Sequence, residues 1–302
     1  MTELKPEAKG ARRLLPPPGG RMDGFDRPDG MHIRVAAWPA DTDRPRGTVV
    51  LLHGWREFTE KYYETIADLR DRGFAVVTMD WRGQGLSGRI APDRRRGYSR
   101  SFDDNVADVA ALVEWARAPD RMPGPLLLMA HSMGGHVAFR VLHDYPGLFD
   151  RAVILAPMMG IDLGPMPGPM PECAARLLVR AAVRLGAGER YAPFQRSFSE
   201  ARRLRENRRF LTSDPDRAND ELVFYRDNPD LILNGLTWGW LKAAFGSMDV
   251  VRAPGYAQAI ATPVFAVLAG ADRVVSNGEA RRFIARLPHA RHAVIEGARH
   301  EI

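Results

Sequence analysis

The chain has 302 residues and a formal net charge of +6, carried almost wholly by arginine. No apolar run approaches a membrane span, the N-terminus lacks the apolar region of a signal peptide, and the one cysteine cannot form an intrachain disulfide, so a cytoplasmic location is expected. Nothing resembles a nucleic-acid-binding module. The basic balance, densest at Arg94, Arg95, Arg96 and along residues 202–209, reads as a solvated surface or as weak attraction to the anionic inner face of a membrane.

Residues 1–30, rich in proline, glycine and charge around Pro16, Pro17, Pro18, Gly19 and Gly20, read as a loosely ordered lead-in. The apolar run 48–52 then predicts a buried strand ending in the turn His53, Gly54, Trp55. That turn is where one oxyanion-binding amide is normally supplied, and the donor is assigned to the backbone of Trp55. His53 precedes any downstream nucleophile and is assigned a structural role, holding its loop through ring hydrogen bonds. Tyr62, Tyr63, Ile66 and Leu69 form a helical face before Gly73, residues 74–79 a further strand, and Val106, Val109, Val113 and Ala116 a second helical face before Pro119. Between them, Asp80 to Ser87 form a glycine-permitted tight turn, in which Asp80 is expected to brace the loop with Arg82. Strands alternating with helices predict an α/β fold, a mainly parallel sheet with helices on both faces.

Leu126 to Ala130 form another buried strand, and it runs straight into His131, Ser132, Met133, Gly134 and Gly135. A serine at the tip of such a turn is held out at the end of the sheet, with the N–H of Met133 free to point at an oxyanion. The pattern departs from G-x-S-x-G in having Ala130 at its first position, and a plain strand-to-helix connection is the alternative. A serine nucleophile needs a base and an orienting acid, in the order Ser, Asp or Glu, His for this arrangement. The strand at 263–270 delivers Asp272 to the following loop. The next helix starts at Ser276, with Glu279 as capping partner and Ala280, Phe283, Ile284 and Leu287 on one face until Pro288; a strand at 292–295 then leads to His300. Each residue alone is an ordinary loop side chain, but their joint order makes Ser132, Asp272 and His300 the candidate catalytic set. His131 and His136 flank the serine, yet without H-E-x-x-H or paired-cysteine spacing no metal site is expected, and no cofactor.

Taken together, His53-Gly54-Trp55, the stretch from Asp80 to Ser87, the Ser132 elbow, Ala269 to Asp272 and Gly297 to His300 resemble the α/β-hydrolase superfamily. Within it they resemble the monoacylglycerol lipase and lysophospholipase group of serine esterases. The resemblance implies an α/β-hydrolase core at 31–159 and 256–302 with a helical cap inserted at 160–255. Ala174, Leu177, Leu178, Ala181 and Leu185 form one apolar face there, beside a row of Arg176, Arg180 and Arg184. Trp238, Trp240, Leu241, Phe245 and Met158, with Met159 and Met166, become candidates for an acyl-binding wall, although the spacing of Leu241 and Phe245 equally suits plain core. The implied activity is hydrolysis of single-chain lipid esters, lysophospholipid or monoacylglycerol, through an acyl-enzyme. Cleavage of small esters, peptides or amides, or acyl transfer, on the same scaffold is the alternative; a silent binding protein is argued against by the complete set of three. Similar proteins continue into a helix beyond the histidine, so a truncated chain with a poorly held His300 is expected.

Overall fold

The computed structural model describes residues 12–118, 122–161 and 172–302. Eight strands make one sheet: β1 (Arg21–Asp26), β2 (His32–Trp38), β3 (Gly47–Leu52), β4 (Phe74–Met79), β5 (Leu126–His131), β6 (Arg151–Leu155), β7 (Val264–Ala269) and β8 (Ala290–Ile295), in the order β1-β2-β4-β3-β5-β6-β7-β8. β2 runs antiparallel to β1 and β4, and the other pairings are parallel. The chain steps from β3 to β4 on one side, then returns to place β5 on the other. The carboxyl ends of β3 and β5 therefore flank the switch point where open α/β sheets bind ligands.

Because successive strand residues face opposite ways, the sheet feeds two cores. Val35, Ala37, Val50, Leu52, Val77 and Met79 join the larger one, under α2 (Phe102–Arg117), α3 (Met133–Asp144), α7 (Trp238–Arg252) and α8 (Asn277–Ile284). Ala36, Trp38, Leu51 and Val76 join the other, under α1 (Tyr63–Asp71) and α6 (Arg217–Asp227). Toward β8 this second face is open, with Val153, Phe265 and Ile295 exposed. In α2 the positions Val106, Val109, Val113 and Ala116 are all buried, and Ser101 caps the helix by accepting from the Asp103 amide. Pro119, expected to stop it, lies outside the described residues.

The lead-in differs from expectation. Residues 21–26 all pair with β2, at His32 to Ala37, and Pro17 is buried with its carbonyl accepting from the Trp38 indole at 3.0 Å. The strand is an edge strand that is mostly exposed, so its sequence lacks the apolar alternation that marks a half-buried one.

Between β6 and β7 lie α4 (Glu172–Arg184), α5 (Glu200–Glu206) with a π-helical continuation to Leu211, α6 and α7. The apolar face of α4 points outward: Leu177, Leu178 and Leu185 are 70%, 44% and 85% exposed, and Ala175 and Val179 are buried instead. Arg176 leaves the expected arginine row to lie over the Phe245 ring and pair with Asp249.

Phe139 of α3 is fully buried and packs on Phe283 of α8 at 4.7 Å between centroids. Phe139→Ala is expected to lower stability by about 3–5 kcal/mol through lost burial and a residual cavity. Urea unfolding checks this; an unchanged midpoint would contradict the packing described.

Candidate active site

Ser132 sits at the turn between β5 and α3 with φ 54° and ψ −117°. Left-handed backbone at a non-glycine residue is costly, about 1–3 kcal/mol, and persists only where the surroundings enforce it. Here its amide donates to the Leu155 carbonyl at 3.0 Å, and its own carbonyl accepts from the amides of His136 and Met158. Gly134 lets α3 close onto β3, since a Cβ there would lie 2.5 Å from the His53 carbonyl oxygen. Ala130, where the usual pattern has glycine, is fully buried in the core, which accepts its methyl.

The Ser132 hydroxyl donates to His300 Nε2 at 2.8 Å, and His300 Nδ1 donates to Asp272 Oδ2 at 2.8 Å. The other oxygen of Asp272 accepts from the amides of Val274 and Val275, which fixes the carboxylate against rotation. Burial would raise the Asp272 pKa, but the hydrogen bond and charge of His300 and these two amides outweigh it and hold the carboxyl below its usual range. Ser276 caps α8, accepting from the Glu279 amide, so Asp272 is free of that duty. The histidine loop is firmly held, contrary to the expected looseness. The His300 amide donates to Phe210, the Glu301 amide to Leu211, and Arg299 to the carbonyls of Arg208 and Thr212.

Met133 opens α3, where the first amides have no partner inside the helix. Trp55 follows the turn at the end of β3, and a Cβ on the neighbouring Gly54 would lie 3.1 Å from the Ser132 Cβ, so the two backbone segments are in contact. Gln84 links them further, accepting from the Arg56 amide at 2.8 Å and approaching the Met133 sulfur. His53 is fully buried and donates from Nδ1 to the Gly54 carbonyl; burial keeps its pKa low. Asp80 is not braced by Arg82. It accepts from Arg34, from both the amide and the hydroxyl of Thr59, and from the Leu86 amide, whereas Arg82 forks onto Asp108. The residue that reaches Asp80 is the one on the adjacent strand β2, a pairing that short sequence separation does not suggest.

Of the residues expected to bind an acyl chain, Trp240 lies beside the oxyanion turn, its ring 4.5 Å from that of Trp55. The Met158 amide touches the Ser132 carbonyl, and both Met158 and Met159 are buried. Leu241 and Phe245 are buried on α7 and Trp238 is half-buried at its start. Phe245 lies farther along, lining a cavity of about 170 Å³ with Val179, Arg180 and Lys242. Met166 lies outside the described residues. His136 diverges from His131, with Nε2 on the Ser247 hydroxyl and a pKa pushed down to about 3 by burial and the Arg140 charge. Among the described residues, no group of three or more His, Cys, Asp or Glu is arranged to hold a metal ion.

One cluster beneath the site was not anticipated. Glu57 accepts from the Gly54 amide, Tyr62, Lys61 and His131, while His131 Nε2 donates to the His300 carbonyl at 3.1 Å. A histidine directly before the serine was the available signal, but its partner is 74 residues away.

The arrangement at Ser132 can deprotonate a hydroxyl and stabilise the developing anion, and the comparisons agree with such chemistry. Residues 43–302 match the family described as serine aminopeptidase, S33. Lysophospholipase L2 of Escherichia coli is 33% identical over 274 residues, 84% of this chain and 74% of that protein. A monoacylglycerol lipase of Mycolicibacterium smegmatis is 28% identical over 258 residues, 85% of this chain and 81% of that protein. Among solved structures, a soluble variant of monoglyceride lipase from Saccharomyces cerevisiae in complex with a substrate analogue superposes with a TM-score of 0.68 at 20% identity, covering 93% of this chain and 86% of that one. These likenesses place the fold.

Gly134→Ala should force α3 away from the His53 carbonyl and cost about 1–3 kcal/mol, typical of overpacking. A melting temperature equal to that of the unmodified protein would contradict the close approach described.

Proposed function

Since the chain belongs to the serine aminopeptidase S33 family and is a serine hydrolase of the α/β-hydrolase fold, we propose that it cleaves the carboxylic ester of single-chain lipids, lysophospholipid or monoacylglycerol. The observation that carries the reading is the unbroken chain from the Ser132 hydroxyl through His300 to Asp272, each link 2.8 Å. His300 takes the serine proton as Oγ attacks the ester carbonyl, and Asp272 holds the imidazole with Nδ1–H directed away from the serine. The amides of Met133 and Trp55 receive the tetrahedral oxyanion. His300 then gives its proton to the leaving alcohol, an acyl-serine remains, and water repeats the steps to release the fatty acid.

The lipid part of the reading is supported by the apolar character of the wall beside the turn and by the names of the two relatives. Residues 160–255 act in it as a cap over the carboxyl ends of the strands, with Trp240 and Met158 nearest the acyl chain. No helix among the described residues is long and apolar enough to cross a membrane. The outward leucines of α4, beside exposed Arg180 and Arg184 on a chain of net charge +6, suit weak docking on an anionic lipid surface at the inner face of a membrane.

Ser132→Ala should abolish ester turnover without lowering thermal stability, and Asp272→Asn should cut kcat by about 10⁴-fold, as when a triad aspartate is amidated elsewhere. On p-nitrophenyl esters from acetate to palmitate, kcat/KM should rise with chain length, each buried methylene contributing about 0.8 kcal/mol. Trp240→Ala should flatten that rise. Beside them, monoacylglycerol and lysophosphatidylcholine should be cleaved and peptide anilides should not. A flat profile would favour the small-ester reading, and faster anilide cleavage the peptide reading, in place of the lipid one.

Docking is checked separately by sedimentation with vesicles. Binding should be greater with phosphatidylglycerol present than with phosphatidylcholine alone, and Leu177→Glu with Leu185→Glu should weaken it. Indifference to both changes would remove the docking face.

A further inference from the structure

His131 is the last residue of β5, directly before Ser132, and both its ring nitrogens face acceptors. Nε2 points at the main-chain carbonyl of His300, 3.1 Å away, and a carbonyl can only accept. Nδ1 points at Glu57 Oε2 at 3.3 Å, and that carboxylate already accepts from the Gly54 amide, the Tyr62 hydroxyl and Lys61. Receiving so many donors, Glu57 is ionised. One imidazole thus has two positions that each call for a proton, and its ring lies 4.8 Å from that of His300.

We propose that His131 and Glu57 form a second histidine–carboxylate pair, with the imidazole protonated on both nitrogens, that clamps the His300 main chain and so positions the base for Ser132. The proposal rests on the reading of Ser132 and His300 given above. Through the Gly54 amide the same carboxylate steadies the turn that carries Trp55, so one buried group fixes both the base and an oxyanion donor. Neither His131 nor Glu57 touches the reacting atoms; they are positioning residues. The groups facing the ring are Glu57 before the 3₁₀ turn Thr59–Tyr62, Lys61 and Tyr62 within it, and His300 and Glu301 on the C-terminal loop, with Glu221 of α6 beyond Lys61. Lys61 bridges Glu57 to Glu301, which ties the 3₁₀ turn to the histidine loop a second time.

Burial would lower the His131 pKa, but the charge and hydrogen bond of Glu57, the charge of Glu301 and the His300 carbonyl outweigh it and raise it above the usual histidine value. That direction favours the doubly protonated ring, which is lost as pH rises past the raised value. Deprotonation leaves one proton for two acceptors, so one arm of the clamp must open. A cavity of about 480 Å³ is lined by Glu57, Lys61, Tyr62, His131 and Glu301 but not by Ser132 or His300. The pair thus lines a cavity that the nucleophile does not share.

The test is steady-state kinetics on a p-nitrophenyl ester across pH, joined to nitrogen NMR of the His131 ring. His131→Leu should lower kcat about tenfold to a hundredfold with KM within twofold, as expected when a base is displaced but binding is not. His131→Gln, which keeps a donor where Nε2 lies, should recover most of the loss and lack the alkaline fall that His131 titration gives the unmodified enzyme. Glu57→Gln should shift that fall to lower pH. In the Ser132→Ala protein, which needs no turnover, both ring nitrogens of His131 should be protonated at pH 7, so the clamp can be judged even if the ester reading fails. Should His131→Leu not fold, the glutamine variant and the spectrum still decide. A neutral His131 ring at pH 7, unchanged kcat in His131→Leu, or an alkaline fall retained in His131→Gln together with an unshifted profile in Glu57→Gln, would overturn the proposal.

Discussion

Ser132 can occupy a left-handed turn because α3 begins almost in contact with the end of β3, and that approach depends on Gly134 having no side chain. Strain of about 1–3 kcal/mol at one residue is small beside the packing around it, where Leu52, Met133, Val137 and Ile154 are all buried. The strand, the turn and the helix are thus one mechanical unit. It sets the position of the Ser132 hydroxyl, the direction of the Met133 amide and, through the Gly54 contact, the place of the Trp55 turn. Asp272 and His300 come from a different part of the sheet, so their fit to Ser132 depends on the register of β5, β6, β7 and β8.

Two buried carboxylates organise the loops around that unit. Asp80 joins the 3₁₀ turn after β3 to the tight turn after β4, neutralised by Arg34 from the neighbouring strand. Glu57 joins the β3 turn to the elbow and the histidine loop, neutralised by Lys61. Each would carry a large desolvation cost alone, and each is met by several donors, which is the condition under which buried charge is tolerated. The loops that frame the site are therefore specified by polar contacts, whereas the strands beneath them are specified by apolar alternation.

This division explains what the sequence made legible. Ser132, Asp272 and His300 each follow an apolar strand and a turn, so pattern alone placed them at the same end of the sheet and in the order a triad requires. Strands β3, β4, β5 and β7 were visible for the same reason, and α2 and α8 through their periodic faces. Glu57, His131 and Arg34 were not, because their partners lie on separate elements and no local period records such a pairing. β1 was missed because an exposed edge strand has no apolar alternation to show. The outward face of α4 shows the opposite failure: helical spacing reveals that Leu177, Leu178 and Leu185 share a face but cannot tell which way it points.

The central claim is that Ser132 carries the acyl group between two chemical steps. Quenching the protein with acid during turnover of a long-chain p-nitrophenyl ester, then mapping the adduct by peptide mass, tests it most directly. The account predicts one acyl group per chain, on the peptide containing Ser132, with its amount depending on substrate and time as an intermediate's should. Turnover without any adduct, or an adduct on another residue that forms and decays at the rate of turnover, would contradict it.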